Sequence, residues 1–424
     1  HIAPWMKKIS GNSEFKRIKR FYCEEGDLLM ASELHLKNNN PITIKDISAK
    51  LNVSSVSVHR ALSGKDGVSE KLRRKVLQTA EEMGYEINYA AASLKRKTCR
   101  VAAILPQDND LYFSYIWKGL EASIKEVKGL NVEVEKIICT DEAHQHELLK
   151  QIADGNDEYG GVITFSYTRQ PRVLMQLQRL VAQGVVTVVI DDELKEPEGL
   201  YCIPSNEKTI GCIAGEFIEL ITPETGSVLL SSGRLDSKTH INKVNSFVHY
   251  LSERKPTLKI HMVEGYFNGP GSDEMIFREI LQALRQYPDT VACYALTSHD
   301  NLPMVQAVRE AGMEHQVSVV GTDLNGITTC LLKERRLKAV INQAAYMKGY
   351  TGLNILVDRM VKNIEPPLRI DCPIDVVLHS NLSFFERSNN IISMEVKNEE
   401  STEKTEQPSC LRHLKPNFIR GMQR

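Results

Sequence analysis

Residues 42–62, ITIKDISAKLNVSSVSVHRAL, constrain the fold of this chain more than any other stretch. Behind Thr43, an N-cap residue, apolar side chains repeat at the spacing of an amphipathic helix. Asn52-Val53 interrupts that pattern, and Ser54 is placed to cap a second helix. The stretch therefore predicts two short helices joined by a tight turn and sharing one small core.

The second predicted helix turns its apolar residues inward and leaves small, hydroxylated and basic residues outside. Such a surface suits the major groove of DNA, which is about 12 Å wide. We expect base contacts from Ser55, Val56 and Arg60, and phosphate contacts from Thr43, Ser54, Ser57 and His59. A helical hairpin without a DNA function has the same stripe and caps, so these residues alone leave that alternative open.

A third helix is predicted from Ser69 to Met83, with Gly84 at the left-handed position after it. Its expected inner face consists of Leu72, Val76, Leu77 and Ala80. The order of T-I-K-D-I-S, V-S-x-x-S-V-x-R-A-L, V-S-E-x-x-R-x-x-V, G-Y-x-x-N and A-x-S-L closely resembles the lac repressor family of bacterial transcription regulators. The resemblance covers about residues 42–386 and is strongest up to residue 96.

This resemblance implies a hinge helix at residues 88–96, which contacts DNA through Asn88, Ala91 and Leu94. In the family the leucine enters the minor groove of a bent, pseudo-palindromic operator bound by a homodimer. A helix of about nine residues is unstable alone in water, so we expect it to order on DNA or against its dimer partner. A basic interdomain linker is the alternative.

Charge is distributed unevenly along the chain. Residues 41–100 carry 12 Lys and Arg against 6 Asp and Glu, while the other residues carry 41 against 48. A basic module on an acidic body is typical of a DNA-binding head attached to a sensor.

The nine cysteines form no C-x-x-C pair, and the sequence lacks an apolar run of membrane-spanning length. We therefore expect reduced thiols in a cytoplasmic protein without metal, cofactor or catalytic site. The N-terminal residues show no signal-peptide pattern, which argues against secretion.

Beyond residue 100, short apolar runs alternate with helical patterns, which predicts parallel sheets covered on both faces. The two series of alternating elements resemble the two-lobed periplasmic-binding-protein fold of the family's sensor domain. The expected division is a 1–40 extension without assigned function, a 41–87 helix-turn-helix domain, an 88–99 hinge and linker, a 100–387 effector-binding and dimerisation domain, and a disordered 388–424 tail.

Ligands of doubly wound sheets bind beyond the carboxyl ends of the strands, where two lobes would face each other across a cleft. Acidic, amide and aromatic side chains at these ends suit a sugar, although an Asp after a strand is often only a helix cap. From these positions we expect ligand contacts by Asp108, Phe113, Tyr167, Asp191, Asp300 and Gln343.

The family resemblance supports two of these residues and adds one. Asp300 matches the acid of the family's N-D-x-x-A segment, although His299 replaces the asparagine. Gln343 matches the polar residue at the return to the first lobe, and Lys243 replaces the arginine of R-x-x-G-F, whose glycine is Ser246. Lys keeps the charge but loses the bidentate fork. Either the ligand is held differently or it offers a phosphate or carboxylate.

The resemblance therefore implies a ligand-controlled regulator of transcription, which we expect to be a repressor responding to a sugar or sugar derivative. A periplasmic-type transport component is the alternative, but it would need a signal peptide and would not use residues 42–96. We expect no enzymatic activity, since G-x-S-x-G, P-loop and G-x-G-x-x-G motifs are missing from the sequence.

Overall fold

A computed structural model describes residues 42–62, 66–85, 89, 93, 96–107, 111–155, 159–165, 170–194, 197–235, 237–265 and 271–388. The chain divides into two compact units between Asn88 and Tyr89. We call the first unit the head and the second the sensor. The expected 1–40 extension and all but the first residue of the tail lie outside the described residues.

The head contains, in its described part, the helices α1 (Ile44–Leu51), α2 (Ser55–Leu62) and α3 (Glu70–Glu82). Their shared core is small and consists of Ile47, Val58, Ala61, Val76 and Ala80. Thr43 is the N-cap of α1, and the Ser54 hydroxyl accepts the amide hydrogen of Ser57 at 3.1 Å. The three predicted helices are therefore present with the predicted start residues.

One inward-facing residue of the head was predicted wrongly. Leu77 is 48% exposed, whereas Val76 and Ala80 are buried. Leu77 lies one residue, or about 100°, further round the helix than Val76, and the narrow core does not extend that far. Gly84 adopts the expected left-handed conformation, with φ +66°.

The first lobe of the sensor is an all-parallel, five-stranded sheet in the order β2-β1-β3-β4-β5. Strand β1 is buried over its last five residues and lies between β2 and β3, with Val101 beside both Val134 and Gly161. The elements of this lobe are β1 (Cys99–Leu105), α4 (Phe113–Glu126), β2 (Val132–Ile138), α5 (Glu142–Asp154), β3 (Gly161–Thr164), α6 (Pro171–Ala182), β4 (Val186–Ile190) and β5 (Tyr201–Ile203).

The second lobe contains a six-stranded sheet in the order β11-β10-β9-β8-β6-β7, with β11 antiparallel to β10 and the other pairs parallel. Its elements are α7 (Glu207–Ile221), β6 (Gly226–Ser231), α8 (Lys238–Arg254), β7 (Leu258–Val263), α9 (Ser272–Gln286), β8 (Thr290–Ala295), α10 (Asn301–Glu310), β9 (Ser318–Thr322), α11 (Gly326–Lys333), β10 (Ala339–Asn342), β11 (Asp375–Val377) and α13 (Leu382–Ser388).

Helix α12 (Ala345–Val357) follows β10 but belongs to the first lobe, where Leu353, Leu356 and Val357 join the core of the sheet. The chain therefore crosses between the lobes after β5, after β10 and before β11. The doubly wound, two-lobed fold predicted from the sequence is confirmed.

The glycines near the ends of the sensor helices differ from one another in conformation. Gly184 is left-handed, with φ +81°, whereas Gly155 ends α5 with φ −79°. After α4 a short 3₁₀ turn, Lys128–Leu130, extends the chain, so Asn131 takes the left-handed position instead of Gly129. Asn tolerates this conformation better than most residues with a side chain.

Candidate functional site

The exposed face of α2 is the candidate DNA-reading surface of the head. Val58 and Ala61 anchor the opposite face in the core, while Ser55, Val56, His59 and Arg60 are exposed. Val56 is 60% exposed, so its side chain is accessible on this face. The guanidinium of Arg60 lies over Gly67, where an added Cβ would be 3.0 Å from Nη1.

Of the residues expected at phosphates, Thr43, Ser54 and Ser57 lie at the start of these helices, whereas His59 lies in the last turn of α2. Ser54 and Ser57 share a hydrogen bond of 2.9 Å, and the Thr43 hydroxyl donates to Asp46 at 2.7 Å. Helix N-termini and hydroxyls bind phosphate well. The hinge residues Asn88, Ala91 and Leu94 lie outside the described residues.

In the first lobe, three buried or partly buried side chains meet at the carboxyl end of the sheet. Asp191 follows β4, Tyr112 precedes α4, and Lys348 is in the first turn of α12. The Lys348 Nζ donates to Asp191 Oδ1 at 2.5 Å and to the Tyr112 hydroxyl at 2.8 Å. The Tyr112 hydroxyl donates to the same Asp191 oxygen at 2.7 Å. Lys348 is only 1% exposed, so this is a buried ion pair supported by a phenol.

In the second lobe, a chain of hydrogen bonds joins four buried side chains. Lys243 Nζ donates to Gln343 Oε1 at 2.5 Å, and Gln343 Nε2 donates to Asp323 Oδ1 at 2.9 Å. The Ser298 hydroxyl donates to the second Asp323 oxygen at 2.5 Å. Gln343, on the crossing between β10 and α12, thus links an ammonium on α8 to a carboxylate after β9.

The protonation of these groups is governed by burial. Desolvation lowers the pKa of Lys243, and the nearby Asp323 carboxylate partly opposes that shift. Desolvation likewise raises the pKa of Asp323, against the hydrogen bond from Ser298 and the charge of Lys243. Burial and the adjacent Asp191 raise the pKa of the Tyr112 hydroxyl. The phenol therefore keeps its proton and can donate it to Asp191.

A cavity of about 210 Å³ lies beside the two networks and reaches one member of each, Tyr112 and Asp323. Its other walls come from both lobes and from two crossings: Leu111, Tyr115, Leu324, Asn342, Ala344, Ala345, Tyr346, Met347, Pro373, Asp375 and Phe385. The Tyr115 hydroxyl spans the lobes by accepting the Gly326 amide hydrogen at 3.1 Å. Aromatic and aliphatic side chains line the space together with a few polar groups, as in many ligand sites.

Asp300 occupies a different position from the one expected for a ligand-binding acid. It is fully buried before α10, its Oδ2 accepts a hydrogen bond from Ser231 at 2.7 Å, and a Cβ on Gly265 would lie 3.0 Å from both oxygens. It is not one of the described residues that line the cavity. Its contact with a ligand stays a prediction.

The structure describes some of the remaining predicted ligand residues and not others. Phe113 packs edge-on against Tyr112 and Phe165, with ring centroids 5.4 and 5.1 Å apart. Asp108 and Tyr167 lie outside the described residues. Lys243, Gln343 and Asp191 all belong to the two networks.

Asp323 and Lys348 were not predicted from the sequence. Asp323 directly follows β9, so the rule used for the other strand ends would have selected it. Lys348 carries no such signal, because a lysine in the first turn of a helix is normally exposed.

The segment that leaves the head is attached to the first lobe. The Ser93 hydroxyl donates to the Gly129 carbonyl at 2.9 Å, and Arg96 donates to the carbonyls of Leu130 and Val361 at 2.8 and 3.2 Å. Val361 lies in the π-helical extension of α12, Asp358–Lys362. The linker thus contacts the end of α12 that is opposite to Lys348.

The described residues contain no helix long and apolar enough to cross a membrane. Within the same residues, no group of His, Cys, Asp and Glu side chains could hold a metal ion.

Comparison with known proteins supports both parts of this description. Residues 43–88 match the sequence model of bacterial regulatory proteins of the lacI family, and residues 101–363 match the periplasmic binding protein domain. Catabolite control protein A of Priestia megaterium is 22% identical over 349 residues, which cover 78% of this chain and 98% of that protein. The HTH-type transcriptional repressor CytR of Escherichia coli K12 is 29% identical over 195 residues, 42% of this chain and 55% of CytR.

Solved structures share the fold of the sensor. A glucose-galactose binding protein from Geobacillus stearothermophilus and a putative LacI transcriptional regulator from Bacteroides fragilis each have a TM-score of 0.58 and 17% identity. Each comparison covers 68% of this chain and 99% of the other chain. With a lacI-type head and a periplasmic-binding-protein-type sensor in one polypeptide, this chain belongs to the lacI family of bacterial regulatory proteins and is a DNA-binding transcription regulator.

Proposed function

We propose that the protein is a cytoplasmic, homodimeric repressor without enzymatic activity, and that a sugar or sugar derivative bound between its sensor lobes sets its affinity for operator DNA. The observation that carries the proposal is the pair of buried polar networks that face a common interlobe cavity, in a chain that also has a DNA-reading head. A transport component would have no use for the exposed face of α2.

The head reads the operator through α2 in this proposal. Ser55, Val56 and Arg60 contact base edges, and hydroxyls at the helix starts hold phosphates. Asn88, Ala91 and Leu94 act in the minor groove, a role that rests on the family resemblance alone.

The base-reading role of Arg60 can be tested by substitution. Arg60→Ala removes the donor pair that suits guanine, so discrimination at one position of each half-site should fall by about 1–3 kcal/mol. Selection of binding sites from random DNA measures this change. Lys50→Ala, an exposed head residue near Glu82, is the matched control and should leave the selected sequence unaltered. Unchanged base preference in Arg60→Ala would remove that residue from the reading surface.

The effector role of the cleft is tested by operator titrations with and without neutral sugars and their derivatives. An effector that acts through the cleft should change operator affinity in the wild type. In Gln343→Ala that response should be lost, because the substitution disconnects Lys243 from Asp323. A full response in Gln343→Ala would place the effector elsewhere.

A further inference from the structure

One hydrogen bond joins the two lobes directly, without passing through any of the three crossings. The Tyr115 hydroxyl oxygen accepts the Gly326 amide hydrogen at 3.1 Å. Tyr115 lies in the first turn of α4 in the first lobe, and Gly326 is the first residue of α11 in the second lobe. The two residues are 211 positions apart in the sequence, so only the packing of the lobes brings them together.

The amide that Tyr115 binds has no acceptor within its own helix, because the first N–H groups of any helix lack an intrahelical carbonyl partner. In α11 the side chain of the N-cap residue Asn325 accepts the amide hydrogen of Thr328 at 3.0 Å. The phenol of Tyr115 supplies the acceptor for Gly326. A residue of the first lobe therefore completes the capping of a helix in the second lobe, and this amide loses its acceptor when the lobes separate.

The same bond borders the candidate effector cavity. Tyr115 and Leu324 both line that cavity, and Tyr115 is only 9% exposed. The Thr328 hydroxyl donates to the backbone carbonyl of Asp323 at 2.8 Å, which connects the first turn of α11 to a residue of the second buried network. A hydrogen bond shielded from water is stronger than one in bulk solvent. The bond is therefore placed to resist separation of the cavity walls.

The lobes are closed on each other in this arrangement. Lys243, Asp323 and Gln343, which meet between the lobes, are each at most 6% exposed. The ring of Tyr115 belongs to the hydrophobic core of the first lobe. Because that core holds the ring, the hydroxyl group can be removed without removing the side chain from its place.

We propose that the Tyr115 hydroxyl is a latch that holds the two sensor lobes closed while no effector is bound. A ligand shifts a protein between two arrangements only by its different affinity for each of them. The latch sets the equilibrium from which that shift starts. This inference goes beyond the proposed function, since it concerns the lobes themselves and its test needs no effector.

Tyr115→Phe in the full-length protein removes the acceptor and keeps the ring. Single-molecule energy transfer can follow the distance between α4 and α11, with dyes on non-natural amino acids at the exposed positions of Lys125 and Lys333. An excess of unlabelled protein keeps two labelled protomers from pairing. Without effector, the fraction of open molecules should rise about fivefold in the variant, which corresponds to the roughly 1 kcal/mol of one hydrogen bond.

Tyr350→Phe is the matched control. The Tyr350 hydroxyl donates to Glu126 of α4 at 2.6 Å, so this substitution removes a phenol bond that lies within the first lobe. Its open fraction should equal that of the wild type. A rise as large as the one in Tyr115→Phe would show that the loss acts through the packing of α4, and it would overturn the inference.

Hydrogen exchange tests the latch in the wild type, without any substitution. The Gly326 amide should exchange roughly tenfold or more slowly than the same amide in an unstructured peptide, as measured by residue-resolved mass spectrometry. Unprotected exchange at Gly326 would overturn the inference, as would an open fraction in Tyr115→Phe equal to that of the wild type. Failure of the proposed function is seen separately, as an effector response that survives in Gln343→Ala.

Discussion

Among single residues, Asp300 has the clearest thermodynamic cost of burial, because its carboxyl group is buried. Burial raises its pKa from 3.8 to about 6, and the hydrogen bond from Ser231 opposes the shift only in part. The folded protein therefore keeps this proton up to about pH 6, whereas the unfolded chain releases it near pH 4. Since the folded state binds more protons over this interval, the contribution of Asp300 to stability is complete below pH 4 and is lost as the pH rises to 6.

Asp300→Asn should remove this dependence, because the amide has no charge to desolvate. Relative to the wild type, the variant should gain on the order of 3 kcal/mol between pH 4 and pH 7, at 1.36 kcal/mol for each pKa unit. Urea unfolding at several pH values measures the difference. Asp154→Asn, on an exposed carboxylate, should show no comparable gain, and a parallel pH profile for Asp300→Asn and wild type would refute the assignment.

Individual residues also show how much of the candidate site could be predicted from the sequence. Asp191 and Gln343 were predictable because strand ends and crossings are visible as local patterns. The partner of Asp191 was not, because Lys348 is 157 residues away and only the packing of α12 on the first lobe brings the two together. Asp300 and Asp323 both follow strands, and sequence position alone does not show which carboxylate faces the cavity.

Among the elements, the pair α4 and α12 depends most on glycine. A Cβ on Gly349 would overlap the Ile116 carbonyl, with the carbonyl carbon 2.8 Å away, and a Cβ on Gly119 would similarly meet Tyr346. The two helices therefore touch backbone to backbone. This contact fixes the first turn of α12, which carries Lys348 into the cleft.

Gly349→Ala should force these helices apart and destabilise the sensor by about 3 kcal/mol, the upper part of the usual range for overpacking. Gly352→Ala on the same helix is the matched control, since its Cβ would meet only side chains of Ile163 and Ile190 at 3.7 Å or more. The free energy of unfolding of this control should stay within about 1 kcal/mol of the wild-type value, because alanine has a higher helix propensity than glycine. Denaturant unfolding measures the free energy of unfolding of both variants. Equally small losses in the two would show that the helices can move apart at little cost and would contradict the prediction.

The same reasoning explains which elements the sequence did not reveal. Helix α7 was not predicted, and it contains Gly211 and Gly215, residues that local propensity disfavours in helices. Each glycine allows the close approach of α8, since a Cβ on Gly211 would meet the backbone of Lys243 and one on Gly215 would meet Tyr250. Tertiary packing therefore requires glycine at positions where helix propensity disfavours it. A local sequence pattern shows the poor propensity but not the packing, so the helix was not predicted.

At the scale of the whole molecule, the question is how the sensor acts on the head. Arg96 bonds the linker to Leu130 and to Val361, at the end of the helix that begins near the cleft. A shift of α12 would therefore move the anchor of the linker. The cleft and the linker are thus joined through one helix within the sensor.

Arg96→Ala should keep effector affinity but reduce the effect of the effector on operator affinity. Couplings of this kind are typically 5–150-fold, and we expect most of that factor to be lost. Operator titrations at saturating and zero effector measure it, with Arg179→Ala as a surface control. If Arg96→Ala has the same coupling factor as the wild type, the Arg96 contacts do not transmit the effect of the effector to the linker.

The two halves of the molecule were not equally predictable from the sequence. The head is made of short helices whose caps and apolar stripes are local, so its helices could be read directly. The sensor fold follows from the alternation of strands and helices, but the cleft chemistry depends on side chains brought together across both lobes.

The basic head and the buried ion pair between Lys348 and Asp191 should respond differently to ionic strength. Residues 41–100 carry 12 basic residues against 6 acidic ones, so operator binding releases counterions and weakens steeply as salt increases. Salt screens charges that are shielded from solvent much less, so the ion pair between Lys348 and Asp191 in the cleft should change little. A rise in salt concentration should therefore weaken operator binding much more than it weakens this buried ion pair in the sensor.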